Sequence, residues 1–544
     1  MWINIQRLHL KNYQCISDHV TLEMAPITFL YGPNSAGKSA IYDGIKLAAS
    51  ICSGKVSSDD LNAAVHVGSE GVAREMIVGL GMKTASWSRF YTPSYIPESS
   101  DPFDLCPELT SLIHIGGDDL FDIDVLFTYA TAGKRSANLI QVTISESGEP
   151  VVVVDTHAET ISVSRRSNIF AEINRCLSAD DVAASFDELC DESLVSESFL
   201  IDGDWVRIKG YISNDGKTIS DNIWSSLEGG APVFSSQDFF GKQKWFLVVM
   251  QFLVLGPIRS LGDVAERGPR IGPIRKIPDE GDLLYFLRSE RNGLSVYRSY
   301  NGDSSSWFDG SVAWENLCEN KEVVVRDEDQ HGEKRTESLL NAVNEWIGAD
   351  AFLGMGYSVH QEMMNVIASS DSPEKNEEEK YRDRLVPKYI SRLYLVSTHN
   401  NADLRVNQVG SGVAQVVPIL VAGFTAYQYF VEQPELHLHP KLQAQLTDFF
   451  ISRWANYRVR VVLETHSEYL ALRALRRIRE TSYSNIRHRE FSLSSVDVAF
   501  YYFDNIGGTT KITRLRVTND GEFLDRWPKG FFAEREQELF DEYD

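Results

Sequence analysis

The chain has 544 residues, 43% of them hydrophobic and 11% aromatic, enough for a large core in two or more domains or in one domain with insertions. Its formal net charge of −24 argues against a surface coated with basic nucleic-acid contacts and against binding to anionic membrane, while leaving room for a local basic groove. The six cysteines, Cys15, Cys52, Cys106, Cys176, Cys190 and Cys318, form no Cys-x-x-Cys pair, so no zinc knuckle or redox motif is visible and a reduced, cytoplasmic setting is expected.

The N-terminus, Met1-Trp2-Ile3-Asn4-Ile5, has the look of a strand and no signal-peptide profile. Residues 2–31 read as strands, with Ile3, Ile5, Leu8 and Leu10 apolar, then residues 20–22, then the buried run at residues 27–31. Directly after that run comes Gly32-Pro33-Asn34-Ser35-Ala36-Gly37-Lys38-Ser39, which is Gly-x-x-x-x-Gly-Lys-Ser. In such a loop the glycines let amide N–H groups turn inward around a β-phosphate. Lys38 reaches the β- and γ-phosphate oxygens, and the Ser39 hydroxyl is a magnesium ligand. Residues 40–50 follow with helical spacing, Ile41, Ile45, Ala48 and Ala49 lying on one side, so a helix N-terminus adds its positive end from Ala40 onward. The order strand, loop, helix is the one this chemistry requires.

Residues 50–72, rich in Ser, Asp and Gly, are expected to form a loop, and residues 75–80 another strand. From about residue 90 to 390 no motif related to the P-loop occurs; strands are expected at 140–144 and 151–154. No heptads persist, so no long coiled coil interrupts the chain. The longest apolar run, residues 245–255, is broken by Gln251 and is too short to span a bilayer. Leu255-Gly256-Pro257-Ile258-Arg259 follows it, where Arg259 has two readings, a phosphate contact or a surface turn. Residues 371–384 are mostly charged and read as a solvated segment.

The second half of the site begins at Gly410-Ser411-Gly412-Val413-Ala414-Gln415, a turn placed directly before the apolar helix expected at 416–422. Such a turn presents amides to an anion. The strand expected at 427–432 ends in Glu432 and runs into Gln433-Pro434-Glu435-Leu436-His437-Leu438-His439-Pro440. An acid at the C-terminal end of a strand is where a Walker B carboxylate holds magnesium. Another strand, at 459–463, runs into Glu464-Thr465-His466-Ser467, where a histidine can touch a γ-phosphate. His437 and His439 would share a face of a strand, yet no Cys or third His stands at a familiar metal-binding spacing. The following helix carries Arg473, Arg476, Arg477 and Arg479, the densest basic cluster in the chain. It reads either as a solvated face or as a contact to a phosphate backbone. A hairpin over 498–517, turning at Gly507-Gly508, and an acidic helix close the chain.

On these motifs the chain resembles the bacterial ATPases of the ABC/SMC-like branch related to the OLD and RecF families. It looks closest to a subgroup with Glu432-Gln433-Pro434-Glu435-Leu436-His437-Leu438-His439-Pro440 as Walker B segment and a C-terminal Trp527-Pro528-Lys529-Gly530-Phe531-Phe532. The resemblance covers residues 1–50, 255–259 and 390–535. It implies an α/β fold, an ABC-type P-loop ATPase head with a mixed sheet and helices on both faces. A large α+β insertion separates Walker A from the signature, giving parts 1–90, 91–385 and 386–544. ATP and Mg2+ are the implied ligands, with Ser39 and Glu432 on the metal. Residues 410–415 would be the signature and His466 the switch histidine. In related ATPases a turn like Lys11-Asn12-Tyr13 lies near the nucleotide base; here a plain surface turn is the competing reading.

The resemblance also implies a homodimer formed through ATP, the signature of one copy capping the γ-phosphate held by the other. Relatives often stand in phage-defence gene sets of the Septu or retron-associated kind, beside a separate nuclease. One departure matters: Gln433 occupies the place where ABC heads usually carry a glutamate that activates water. A glutamine orients water but takes no proton, so hydrolysis is expected to be slow unless Glu435 or His466 supplies the base. Two functions follow, a slow ATPase whose dimer state gates a partner effector, and a RecF-like ATPase that clamps DNA in repair. No Toprim-like acidic cluster or His-Asn-His motif follows residue 470, which argues against a self-contained nuclease.

Overall fold

The computed structural model describes residues 4–52, 56–68, 71–72, 75–84, 121–131, 137–158, 160–168, 199–202, 204–209, 257–258, 261, 284–287, 311–319, 322–326, 335–350, 352–365, 389–405, 408–483 and 489–527. The chain divides into two compact units. One comprises Met1–Met24, Asn34–Leu284 and Phe503–Ile512; the other comprises Ala25–Pro33, Tyr285–Tyr502 and Thr513–Asp544.

The first unit is built on a nine-stranded sheet, in the order Phe199–Asp202, Trp205–Lys209, Thr160–Ser164, Glu149–Asp155, Ala137–Glu146, Phe121–Thr131, Glu75–Thr84, Asn4–Lys11, Val20–Glu23. All eight neighbouring pairs are antiparallel. Alternation sets its core face: Met76, Val78, Leu80 and Met82 interleave with Glu75, Ile77, Gly79 and Gly81 and are fully buried. The helix Ser39–Cys52 packs on the strands Asn4–Lys11 and Glu75–Thr84. Gly44 allows a close approach there, since a Cβ at that position would stand 3.1 Å from both Leu10 methyl carbons and Leu10 would have to yield. The boundary expected at residue 90 falls inside this sheet, because Glu75–Thr84 pairs along its whole length with Phe121–Thr131.

Residues 50–72, expected as a loop, contain the helix Ser58–Ala64. Ser57 and Asp60 form a capping box that satisfies its first free amides, and Leu61 and Ala64 are buried. Polar composition hid this short helix, whose start signal is the Ser-x-x-Asp pattern.

The second sheet has six strands, in the order Leu284–Leu287, Gln428–Glu432, Arg460–Glu464, Ile27–Tyr31, Val498–Ile506, Thr509–Leu515. Its middle pairs are parallel. The strands Ile27–Tyr31 and Arg460–Glu464 are buried at every position, the near-continuous apolar pattern of strands covered on both faces. In the second unit, the helices Ser411–Thr425, Pro440–Tyr457 and Leu339–Gly348 share one core, in which Trp314, Trp346, Phe449 and Phe450 are buried. The apolar segment expected as helix at 416–422 is the middle of Ser411–Thr425, buried from Val413 through Phe424. The hairpin turn falls at Gly507 (φ 63°) and Gly508 (φ 90°), the left-handed pair of a two-residue turn. The described elements are of mixed α/β kind, an all-antiparallel nine-stranded sheet and a six-stranded sheet whose middle pairs are parallel, with helices beside them.

Candidate nucleotide-binding site

The loop after Ile27–Tyr31 holds three residues at positive φ, Gly32 (147°), Ser35 (61°) and Gly37 (94°). This is the winding that turns successive amides to one side. Pro33, Asn34 and Ser35 are exposed, whereas Ala36 and Lys38 are buried. The loop is braced from behind within the first unit. The Thr510 hydroxyl donates to the Ala36 carbonyl at 2.9 Å, and the Thr510 amide donates to the Cys15 carbonyl at 2.7 Å. A Cβ on Gly37 would stand 2.4 Å from Thr510 Oγ1 and 2.6 Å from Cys15 Sγ, so both the conformation and the space demand glycine. Ser39 is exposed at the start of its helix and Ala40 is buried behind it. The helix has no acidic residue in its first turn, leaving its positive end unneutralised.

In the second unit, register brings three strand ends to one edge. Glu432 pairs with Glu464, and Glu464 pairs with Leu30, two residues before Gly32. The half-buried Glu432 thus ends its strand level with the approach to the P-loop. Gln433 follows in a left-handed conformation, φ 44°, and its amide donates to the Glu464 carbonyl at 2.7 Å. Non-glycine residues so held are costly and cluster at functional sites. Glu435 accepts the Thr465 hydroxyl at 2.7 Å on Oε2 and the His466 amide at 2.7 Å on Oε1. The Tyr31 hydroxyl donates to the Ser467 carbonyl at 3.0 Å, and burial, then the charge of Glu435, push its pKa far up. His466 is half-buried beside this network.

The helix Ser411–Thr425 begins with Gly410 as its cap residue and no side-chain cap, both Gly410 and Ser411 being exposed. Nothing lies within 4 Å of where a Gly410 Cβ would stand. Gly412 packs tightly, its virtual Cβ 3.1 Å from the His437 carbonyl oxygen and 3.2 Å from a Leu438 methyl. Gln415 is buried one turn into the helix.

His437 and His439 lie in a turn, not on a strand. His437 is exposed at φ 61°, and His439 Nδ1 caps the helix Pro440–Tyr457 by accepting the Lys441 amide at 3.2 Å. Among the described residues no group of three or more His, Cys, Asp or Glu is arranged to hold a metal ion. Magnesium takes oxygen ligands; the Ser39 hydroxyl and the Glu432 carboxylate, expected from sequence to hold it, are each of that chemistry.

The arginine cluster is largely consumed internally. Arg473 and Arg477 both grip Asp448, at 2.6 and 2.7 Å, and Arg477 also pairs with Glu480. Arg476 pairs with Glu480 at 2.7 Å, and Arg479 donates to the Asp520 and Gly521 carbonyls. Tyr13 is buried, and the turn beside it is closed by Asn12 donating to the Glu75 carbonyl at 2.7 Å. Arg259, residues 371–384 and residues 528–532 lie outside the described residues. Sequence reasoning missed Thr510, which stands 474 positions from Ala36 and has no local signal. It also missed Thr465, whose signal was its place inside Glu464-Thr465-His466.

Two family models match the chain, AAA ATPase domain over residues 217–471 and AAA domain over residues 7–79, and these matches support an ATPase of the AAA type. The model described as Protein of unknown function (DUF3696) matches residues 493–541. No curated protein matches the chain. Similar solved structures include an SMC head bound to the C-winged helix domain of ScpA, at TM-score 0.36 and 11% identity, over 94% of this chain and 97% of that one. The SMC head domain from Thermotoga maritima has TM-score 0.35 and 10% identity, over 94% and 100% of the two chains. The Pyrococcus furiosus Smc head with an extended coiled coil, bound to the C-terminal domain of ScpA, has TM-score 0.35 and 10% identity, over 94% and 96%. Among the described residues no helix is long and apolar enough to cross a membrane.

Proposed function

We propose that the chain binds ATP with Mg2+, hydrolyses it slowly, and uses the nucleotide to join two copies whose dimer state gates a separate effector, such as a nuclease in anti-phage defence. The observation that carries this reading is the sheet edge at which Glu432, Glu464 and the approach to the P-loop end in register. In this reading the amides of residues 32–39 hold the phosphates, Lys38 takes the β- and γ-oxygens, and Ser39 and Glu432 are the magnesium ligands. Magnesium, when bound, offsets charge on the β- and γ-phosphate oxygens. Gln433 orients the attacking water by hydrogen bonding but leaves its proton in place, so turnover is slow. The uncapped amides at Gly410, Ser411 and Gly412 are the anion-binding surface offered to the nucleotide of a second copy.

The test is ATP binding by isothermal titration and phosphate release with magnesium, with Lys38→Ala as the blank. Lys38→Ala is expected to lose both. Retained ATP affinity in that variant would sink the assignment of the loop. Binding without release in the unaltered chain would identify a nucleotide-held switch in place of an ATPase that turns over.

A further inference from the structure

The stretch between Glu432 and the helix Pro440–Tyr457 is held at three points within the second unit. At its start the Gln433 amide donates to the Glu464 carbonyl at 2.7 Å. In its middle Glu435 takes the Thr465 hydroxyl and the His466 amide, one on each carboxylate oxygen, both at 2.7 Å. At its far end the His437 carbonyl and Leu438 occupy the space in front of Gly412. Internal bonds, Leu436 N–H to the Gln433 carbonyl and Leu438 N–H to the Glu435 carbonyl, make the stretch one compact turn. Gln433 and His437, both left-handed, bracket it. One turn therefore bonds to the histidine loop on one side and lies against Gly412, near the helix N-terminus, on the other.

We infer that Glu435 is a positioning residue that links the signature turn to the His466 loop, and that it is not the base for hydrolysis. The inference rests on the ATP reading above. Of the roughly four lone-pair sites on the Glu435 carboxylate, one on each oxygen is taken by a donor of the 465–466 loop, so both oxygens are turned to that loop as acceptors. What Glu435 does instead is fix the His466 backbone through its amide and fix Thr465 through its hydroxyl. In this proposal a displacement of Gly412 against the neighbouring His437 carbonyl is passed through the compact turn to Glu435 and so to His466. Bracketing residues in costly conformations are the kind of element that switches between two arrangements.

Four variants of the full chain test this: Glu435→Ala, Thr465→Val, Thr465→Ser, and Glu435→Ala with Thr465→Val. The readouts are ATP affinity by titration and the single-turnover rate of ATP cleavage. Affinity is expected to stay at the unaltered value in all four. Cleavage is expected to fall by about 10²-fold in Glu435→Ala, the scale of a misplaced active-site group. Thr465→Val should also slow it and Thr465→Ser should keep it, since serine retains the hydroxyl. The double variant should be no slower than Glu435→Ala, because both remove one interaction. Should Glu435→Ala fail to fold, the near-isosteric Thr465→Val against Thr465→Ser decides alone. Unaltered cleavage in Thr465→Val, or losses that multiply in the double variant, would overturn the link while leaving ATP binding intact. An unaltered chain that binds no ATP would instead remove the ATP reading and the link with it, and one that binds ATP without cleaving it would overturn the link alone.

Discussion

Gln433 shows how a side chain and a backbone at one position carry separate information. Its backbone, left-handed and tied to Glu464, is set by the turn that leaves the sheet. On the proposed reading its side chain faces the attacking water and determines whether the group there takes a proton. Gln433→Glu changes the second and keeps the first, since the two side chains have nearly the same shape. Phosphate release is expected to rise in this variant, measured at saturating ATP with magnesium. An unchanged rate would place the limiting step in product release or in another group, and would remove the missing carboxylate as the cause of slow turnover.

Among elements, the antiparallel sheet of the first unit carries a polar network on the face away from its apolar residues. Arg7 pairs with Asp122 and with Asp124, the latter at 2.7 Å, and His9 Nε2 meets Asp124 at 2.9 Å. Gly81 makes room for it, since a Cβ there would stand 2.1 Å from Asp124 Oδ1. Burial alone would raise the Asp124 carboxyl, but the hydrogen bonds and charges of His9 and Arg7 outweigh it and hold the pKa below the ordinary value. A carboxyl lowered on folding contributes stability that is complete above its unfolded pKa of about 3.9 and is lost as pH falls through the folded value. Urea midpoints should therefore fall in acid below about pH 4, and Asp124→Asn should flatten that dependence. An equally steep fall in the variant would show that other carboxylates govern acid unfolding.

The helix Glu468–Ser482 teaches the complementary lesson. Its arginines allowed two readings in sequence, a solvated face or a phosphate-backbone contact, and Asp448, Glu480 and two backbone carbonyls take most of their donors. A guanidinium engaged by a buried carboxylate releases few counterions on meeting a phosphate backbone. This observation weighs against the DNA-clamping alternative.

For the whole molecule, a net charge of −24 sets two copies against each other at long range, so association needs a specific bridge. A nucleotide between the P-loop of one copy and residues 410–412 of the other is the proposed bridge. Ser411 is exposed on an uncapped helix end, so Ser411→Arg is tolerated by the fold and blocks that surface with bulk. The variant is expected to bind ATP as the unaltered chain does and to stay monomeric with ATP and magnesium in sedimentation velocity. Nucleotide-dependent dimers of this variant would refute the trans arrangement.

Much of this protein was written locally in its residues. Gly32 through Ser39 specify a phosphate loop because glycine spacing, lysine and serine act within one turn of chain. The parallel strands announced themselves as apolar runs, and Glu432 and His466 stood at ends that the runs marked. The helix Ser58–Ala64 was read as loop, because polar composition masked the local start signal of Ser57 and Asp60. Other features were decided only when distant segments met. Thr510 braces the P-loop from far along the chain; Asp448 takes the charge of Arg473 and Arg477; Glu435 engages both of its oxygens on Thr465 and His466. The physical reason is range. Backbone conformation and hydrophobic periodicity depend on near neighbours, whereas a hydrogen-bond partner or counter-charge is set by packing between segments with no common local pattern.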